Sequence, residues 1–201
     1  MTVTRGFSGR RRSAADTLRL PPGQYDVGAE FPVLSAGPTP SVRLESWDLR
    51  LTGALGTERR WTWEEFRALP RVPVRTDIHC VTTWSKSDTA WEGVSLDVLL
   101  DGVDAEGATH VMAHCDGGYT TNVPLEALLD DDVLVAHTYG GAPLEHDHGA
   151  PLRLLVPKRY FWKSAKFLRQ LEVMPADREG FWELNGYHND ADPWKEQRHW
   201  F

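Results

Sequence analysis

His148-Gly149-Ala150-Pro151-Leu152-Arg153-Leu154-Leu155-Val156-Pro157, followed after two intervening residues by Tyr160-Phe161-Trp162-Lys163-Ser164-Ala165-Lys166, decides how this chain is read. Leu152 to Val156 is an apolar run of strand length bounded by prolines. Arg153 at its start and the Lys-Ser-Ala-Lys turn after it can bring charged donors and backbone amides onto one anionic group, as phosphate binding requires. The competing reading is an ordinary solvated basic turn.

Working outward, the same strand pattern recurs. Trp47, Leu49 and Leu51 alternate with polar residues up to Gly53, and Val72, Val74, Thr76 and Ile78 alternate with Pro73, Arg75 and Asp77, delivering a strand end to His79-Cys80. Further strands are expected near Thr109 to His114, Val133 to Thr138, Leu152 to Val156 and Phe167 to Val173. Thr62-Trp63-Glu64-Glu65 is a capping box opening a helix that Pro70 stops. Short helical stretches are expected at Ser95 to Leu100 and Pro124 to Leu129. Helices and strands do not alternate strictly, and the connections are rich in Gly, Pro and Asp. A β-rich α+β domain therefore fits better than a doubly wound parallel sheet.

A chain of 201 residues, 41% hydrophobic and 25% charged, buries one substantial core. The expected organisation is a single domain over residues 30–201, preceded by an extended or disordered arm over residues 1–29. Within 31–40, Phe31-Pro32-Val33-Leu34-Ser35-Ala36-Gly37-Pro38-Thr39-Pro40 has too many prolines for a helix or central strand, and its apolar residues favour an ordered loop. Twenty-two basic against 29 acidic residues give a net charge of −7, a poor field for a phosphate backbone, so nucleic acid is not expected as a partner. No apolar run approaches the roughly 20 residues that span a bilayer. Arg10-Arg11-Arg12 resembles the start of an export signal, but Ser13-Ala14-Ala15-Asp16-Thr17 follows where an apolar region should begin, so a cytoplasmic protein is expected.

The two cysteines, Cys80 and Cys115, belong to no Cys-x-x-Cys pair, and such usage suits a reducing compartment. Each is read either as a small buried hydrophobe or as a site residue. The histidines offer zinc ligands at His79-Cys80, His114-Cys115 and His146-Asp147-His148, without the clustered spacing of a finger or a His-Glu-x-x-His helix. No GxGxxG, GxxxxGK[ST] or GxSxG motif is present to anchor a nucleotide-dependent or serine-hydrolase reading.

Over roughly residues 30 to 201 the sequence resembles the molybdopterin domain of the sulfite oxidase family. The resemblance is carried by Asp77-Ile78-His79-Cys80-Val81-Thr82-Thr83-Trp84-Ser85, Trp91-Glu92-Gly93-Val94-Ser95-Leu96, Gly118-Tyr119-Thr120-Thr121-Asn122-Val123-Pro124, Tyr139-Gly140-Gly141-Ala142-Pro143-Leu144 and the His148 to Lys166 block, in that order. It implies the mixed-sheet fold of that domain and a molybdenum-molybdopterin cofactor, with Cys80 as the protein thiolate on molybdenum. By the same resemblance His148 and Arg153 hold the pterin or its phosphate, Lys163, Ser164, Ala165 and Lys166 close the phosphate site, and Cys115 approaches the pocket from a second strand. A soft thiolate suits the metal and needs no second cysteine.

Animal and plant sulfite oxidases follow the metal cysteine with closely spaced arginines. Here Val81-Thr82-Thr83-Trp84-Ser85-Lys86 follows, which is closer to the bacterial protein-methionine-sulfoxide reductase catalytic subunits, as is Gly186-Tyr187-His188-Asn189-Asp190-Ala191-Asp192-Pro193-Trp194. The Phe31 to Pro40 segment replaces the asparagine- and tyrosine-bearing loop of those reductases. The implied function is two-electron oxygen-atom transfer to or from a small sulfur- or nitrogen-centred substrate, with a separate electron-transfer partner, because no haem or dimerisation domain is seen. The alternatives are sulfite oxidation, with Lys86, Arg75 or Arg159 attracting the anion, and a noncatalytic pterin carrier.

Overall fold

Period-two patterning makes strands wherever one face can be buried, and here it builds two mixed sheets. The computed structural model describes residues 20–53, 58–103 and 105–200, so the Arg10-Arg11-Arg12 triplet lies outside the described residues. In chain order the elements are β1 (Tyr25–Asp26), β2 (Asp48–Gly53), β3 (Arg59–Thr62), α1 (Trp63–Ala68), β4 (Val72–His79), β5 (Trp84–Ser95) and α2 (Leu96–Leu100). They continue with β6 (His110–Cys115), β7 (Thr120–Pro124), α3 (Leu125–Leu128), β8 (Leu134–Tyr139), β9 (Ala142–Pro143), β10 (Arg153–Leu155) and β11 (Leu168–Met174).

One sheet is organised on β5, which pairs with β4 along most of its length, with β8 from Trp91 to Ser95 and with β1 at Trp84 and Ser85. On its far side β8 pairs with β10, and β9 hairpins back onto it. The second sheet runs β3-β2-β11-β6-β7. The β1/β5 and β2/β11 pairs are parallel and the others antiparallel, the mixed arrangement expected of the β-rich α+β class.

The capping box forms as read: the Thr62 hydroxyl accepts from the Glu65 amide at 3.3 Å and the Glu65 carboxylate accepts from the Thr62 amide at 2.8 Å. Such a cap contributes about 1 kcal/mol and aims α1 so that Phe66 is fully buried. Strands β1, β3, β5, β7 and β9 were not anticipated, and β5 is the longest of them. Its sequence mixes Lys86, Ser87, Asp88 and Glu92 among two tryptophans, and register shifts at Thr76/Ile78 and Glu92/Gly93 break the period that would reveal it. Gly93 is required there, because a Cβ would lie 2.3 Å from the Val135 carbonyl oxygen on β8.

Alternation divides the apolar residues between two clusters. Leu49, Leu51, Val111 and Leu171 of the five-stranded sheet meet Val94, Val135 and Leu154 of the six-stranded sheet in the main core. Each fully buried leucine there contributes about 1.5–3 kcal/mol. The neighbouring residues Leu134, Ala136 and Leu155 face the other way, joining Ile78, Cys80, Trp84 and Trp91 in a smaller cluster. That second face carries the cavity described below. Among the described residues no helix is long and apolar enough to cross a membrane.

Asp48, 2% exposed, accepts hydrogen bonds from Arg50, Arg60 and Arg169. Burial raises its pKa, but the bonds from Arg169, Arg50 and Arg60 outweigh burial and hold it at about 2 instead of 3.8. A carboxylate depressed in the folded state stabilises it above the unfolded pKa and loses that contribution as pH falls through the folded one. Asp48→Asn is therefore expected to unfold earlier in denaturant at neutral pH, with the gap to wild type closing between pH 3.8 and about 2. Parallel denaturation series across that window check this, and a constant gap would remove Asp48 as its cause.

Candidate active site

Cys80 sits where β4 gives way to a tight loop. Its amide donates to the Trp84 carbonyl at 2.8 Å and its carbonyl accepts from the Thr83 amide at 3.1 Å, with Thr83 at a positive φ of 78°. The residue is 5% exposed and Sγ lies 3.2 Å from Thr82 Oγ1. Burial pushes the thiol pKa up, opposed by the bonds to Thr82 and the charge of nearby Arg198. The adjacent His79 is held neutral, since burial pulls its pKa down to about 4, and its Nδ1 is 2.8 Å from Ser85 Oγ.

Cys80 lines a cavity of about 670 Å³, a volume suited to a small-molecule or cofactor ligand. His148, Arg153, Ser164, Ala165 and Lys166 line the same cavity, so the structure brings together six of the eight residues singled out from sequence. The pairing of β10 with the following segment does this. Leu154 donates to the Ala165 carbonyl at 2.9 Å, the Val156 amide donates to Ser164 Oγ at 2.9 Å, and Arg153 bridges to Lys166 across the pair. Gly149 permits the close approach: at φ 108° its hypothetical Cβ would stand 2.9 Å from Lys166 Cβ.

Lys163 and Cys115 are placed elsewhere. Phe161–Lys163 form one turn of 3-10 helix, from which Trp162 and Ser164 reach the cavity while the Lys163 ammonium runs to β7. There it donates to Asn122 O at 2.7 Å and Asn122 Oδ1 at 3.0 Å and pairs with Glu183 at 2.6 Å, both side chains fully buried. Cys115, at the end of β6, packs in the main core, where burial and the charge of Asp116 push its thiol pKa up. Of its two sequence readings, the structure supports the buried thiol. The candidate anion-attracting residues stand apart as well. Arg75 pairs with Asp88 at 3.5 Å on the surface, Lys86 donates to the Gly28 carbonyl at 2.6 Å, and Arg159 donates to the Lys158 carbonyl at 3.3 Å. The histidine pairs are dispersed: among the described residues no group of three or more His, Cys, Asp or Glu is arranged to hold a metal ion.

Two cations define the electrostatics of the cavity. Arg153 is 2% exposed and donates to the carbonyls of His148 at 3.0 Å and Ser164 at 2.7 Å, with its guanidinium 4.1 Å from the Phe161 ring centroid. Its buried Nε has no hydrogen-bond partner among the described residues. Burial lowers its pKa to about 9, so it stays charged at neutral pH. Lys166 donates to Leu34 O at 2.7 Å, Asp147 O at 2.9 Å and Ser35 Oγ at 3.3 Å. Its pKa is lowered to about 8, by burial and then by the charge of Arg153. Neither cation forms a salt bridge among the described residues; Asp116, which also lines the cavity, pairs with Arg169 at 3.3 Å, and the Asp147 carboxylate near Lys166 only partly offsets its charge.

The Phe31 to Pro40 segment lines the cavity beside these residues, an ordered loop as its composition suggested. Phe31 stacks on His148 with ring centroids 3.9 Å apart, and Thr39 Oγ1 donates to Asp147 at 3.2 Å. Gly117 and Gly118, at φ 85° and 83°, add a stretch of wall with open space where their side chains would be. Phe181, Trp182 and Tyr187 complete the lining. Tyr187 falls in a tail motif quoted from sequence without a role, while Phe181 and Trp182 carry no periodic or charge signal. Their placement follows from the Glu183 anchor, which also accepts from Trp162 Nε1 at 2.8 Å and Thr121 Oγ1 at 3.1 Å.

Residues 36–182 match the family described as the oxidoreductase molybdopterin binding domain. The chain is 40% identical to the uncharacterized oxidoreductase YuiH of Bacillus subtilis over 96% of its own length and 98% of that protein. It is 30% identical to a putative protein-methionine-sulfoxide reductase subunit of Azospira oryzae, over 71% of this chain and 55% of that one. Mitochondrial sulfite oxidase of Drosophila melanogaster is 26% identical over 81% of this chain and 33% of its own. In structure, the chain superposes on the sulfane dehydrogenase SoxCD of Paracoccus pantotrophus with a TM-score of 0.59 at 21% identity, covering 69% of this chain and 40% of that one.

Proposed function

Because the chain belongs to the oxidoreductase molybdopterin-binding domain family and is thereby a molybdenum-cofactor enzyme, we propose that Cys80 is its metal ligand and that it transfers an oxygen atom to or from a small sulfur- or nitrogen-centred substrate. The observation that carries this reading is one cavity lined both by a thiol and by two cations that form no salt bridge among the described residues. An anionic cofactor tail placed against Arg153 and Lys166 would supply the missing counter-charge and give the orphaned Arg153 Nε an acceptor, so the residues fit the group. When bound, the cofactor supplies the oxygen-atom chemistry and its two electrons. The protein positions it: Arg153 and Lys166 hold the anion, Ser164 and Ala165 fix the turn beneath it, and His148, stacked on Phe31, offers a flat face beside it. Trp84, Trp162 and Tyr187 exclude water around the thiol.

Sulfite oxidation needs a cation facing the reacting atom, and none of Arg75, Lys86 and Arg159 lines the cavity. The methionine-sulfoxide reductase resemblance accordingly directs the choice of substrate. Electrons are exchanged with a separate partner, and the two free thiols suit a reducing, cytoplasmic setting.

Protein expressed with molybdate is expected to contain molybdenum in stoichiometric amount and to release a fluorescent pterin, and small sulfoxides or N-oxides should oxidise its dye-reduced form. Stoichiometric zinc without pterin would sink the reading, and reduction of the metal by sulfite would redirect it to the sulfite oxidase type. Arg153→Ala should loosen the cofactor by about 10- to 100-fold, the loss expected for charge-assisted hydrogen bonds to an anion. Pterin remaining after gel filtration measures it, and undiminished retention would place the anion elsewhere.

A further inference from the structure

The loop bearing Cys80 is gripped by residues remote in sequence. Four consecutive carbonyls, from Cys80 to Thr83, each accept a hydrogen bond. Cys80 O accepts from Gln24 Nε2 at 3.0 Å as well as from the Thr83 amide, and Val81 O accepts from Arg198 Nη1. Thr82 O accepts from Thr83 Oγ1 at 2.6 Å, and Thr83 O accepts from the Tyr25 amide at 3.0 Å. The two side-chain donors are themselves held. Gln24 is fully buried, and its Oε1 accepts from Ser85 Oγ at 3.3 Å, the hydroxyl that also meets His79. Arg198 lies over the Tyr160 ring, 4.9 Å from its centroid, and Tyr160 in turn bridges to His79. Neither Gln24 nor Arg198 is among the residues lining the cavity.

We propose that Gln24 and Arg198 are positioning residues that clamp the Cys80 loop from both sides and thereby fix the thiolate toward the metal, Arg198 adding a positive charge beside it. The proposal rests on the reading of Cys80 as the metal ligand. A loop whose carbonyls are all engaged, those of Cys80, Val81 and Thr83 by residues remote in sequence, has one favoured geometry, and loss of one donor weakens that preference and admits more than one loop arrangement. Such outer partners orient metal ligands generally. The sequence offers no sign of this, because residues 56 and 117 positions away from their acceptors meet them only through the fold.

The test compares molybdenum-loaded wild type with Gln24→Met, Gln24→Glu, Arg198→Met and Arg198→Lys, using the Mo(V) electron paramagnetic resonance signal and the metal's midpoint potential. Cys80 alkylation by iodoacetamide is followed in full-length protein expressed without molybdate. Gln24→Met should broaden the signal into several components and speed alkylation by about five- to tenfold, as expected for one lost buried hydrogen bond. Gln24→Glu keeps the shape and the Ser85 bond but donates nothing to Cys80 O, and should behave the same way. Arg198→Met should lower the midpoint potential, and Arg198→Lys should restore it in large part. Wild-type signals and alkylation rates in the folded Gln24→Glu protein would overturn the clamp at Gln24, and near-wild-type behaviour in Arg198→Lys is the expected result. An unshifted potential in Arg198→Met, or in Arg198→Lys a shift as large as the methionine variant's, overturns the role of Arg198. Cys80→Ser separates the two levels: an unchanged Mo(V) signal there removes the ligand reading and the clamp with it. A changed signal there, with Gln24→Glu like wild type, overturns the Gln24 grip alone.

Discussion

Cys80→Ser is expected to fold, to retain pterin and to lose turnover by more than about 100-fold, beyond the 10- to 100-fold that losing an outer partner costs. The serine hydroxyl is a harder donor than thiolate and stays protonated, so the substitution removes the soft ligand while leaving the loop's backbone bonds in place. Arg153 and Lys166 are untouched, which is why the pterin should stay. Turnover with a reduced dye, molybdenum by elemental analysis and pterin by fluorescence separate the three quantities. Undiminished oxygen transfer would count directly against Cys80 as ligand, and joint loss of pterin and fold would show that the thiol's packing beside Trp84 and Ile78 matters more than its sulfur.

The second large effect concerns stability. Lys163→Met should destabilise the protein by about 3–5 kcal/mol, because it strands the Glu183 carboxylate in the interior without its ammonium. Trp162 and Thr121 still donate to Glu183 Oε1, but its Oε2 already has no partner among the described residues. Pairing the change with Glu183→Gln should recover part of the loss, since the buried charge is then removed together with its partner. Guanidinium unfolding midpoints at neutral pH measure both. If Lys163→Met instead kept wild-type stability and shed its pterin, the lysine would belong with the anion-binding residues, as the sequence resemblance implied.

That lysine shows where sequence stops informing. Lys163, Ser164, Ala165 and Lys166 are consecutive, and nothing local says which way each points. The turn at Phe161–Lys163 sends one lysine to β7 and leaves the other in the cavity. Strands with a clean period, such as Asp48–Gly53, were legible because Leu49 and Leu51 are buried while Arg50 between them is exposed, and α1 because its cap is a local motif. β5 was not, since it is buried on both faces over part of its length, at Trp84, Ser85 and Lys86, and register shifts in its pairing break the period. The cavity's thiol and cations were legible through short motifs in a specific order. Its Phe31 to Pro40 wall and the grip of Gln24 and Arg198 arise from contacts between distant segments, which composition and spacing do not encode.

An ammonium carries three hydrogens. Lys166 directs them at the Leu34 carbonyl, the Asp147 carbonyl and the Ser35 hydroxyl, the last at the longest distance of 3.3 Å. A phosphate oxygen that claims this lysine must therefore displace an acceptor the protein already supplies, and Ser35 is the cheapest to release. If the anion binds where proposed, its arrival and a slackening of the proline-rich wall would be one exchange reaction, a fastening given up in the act of taking the ligand.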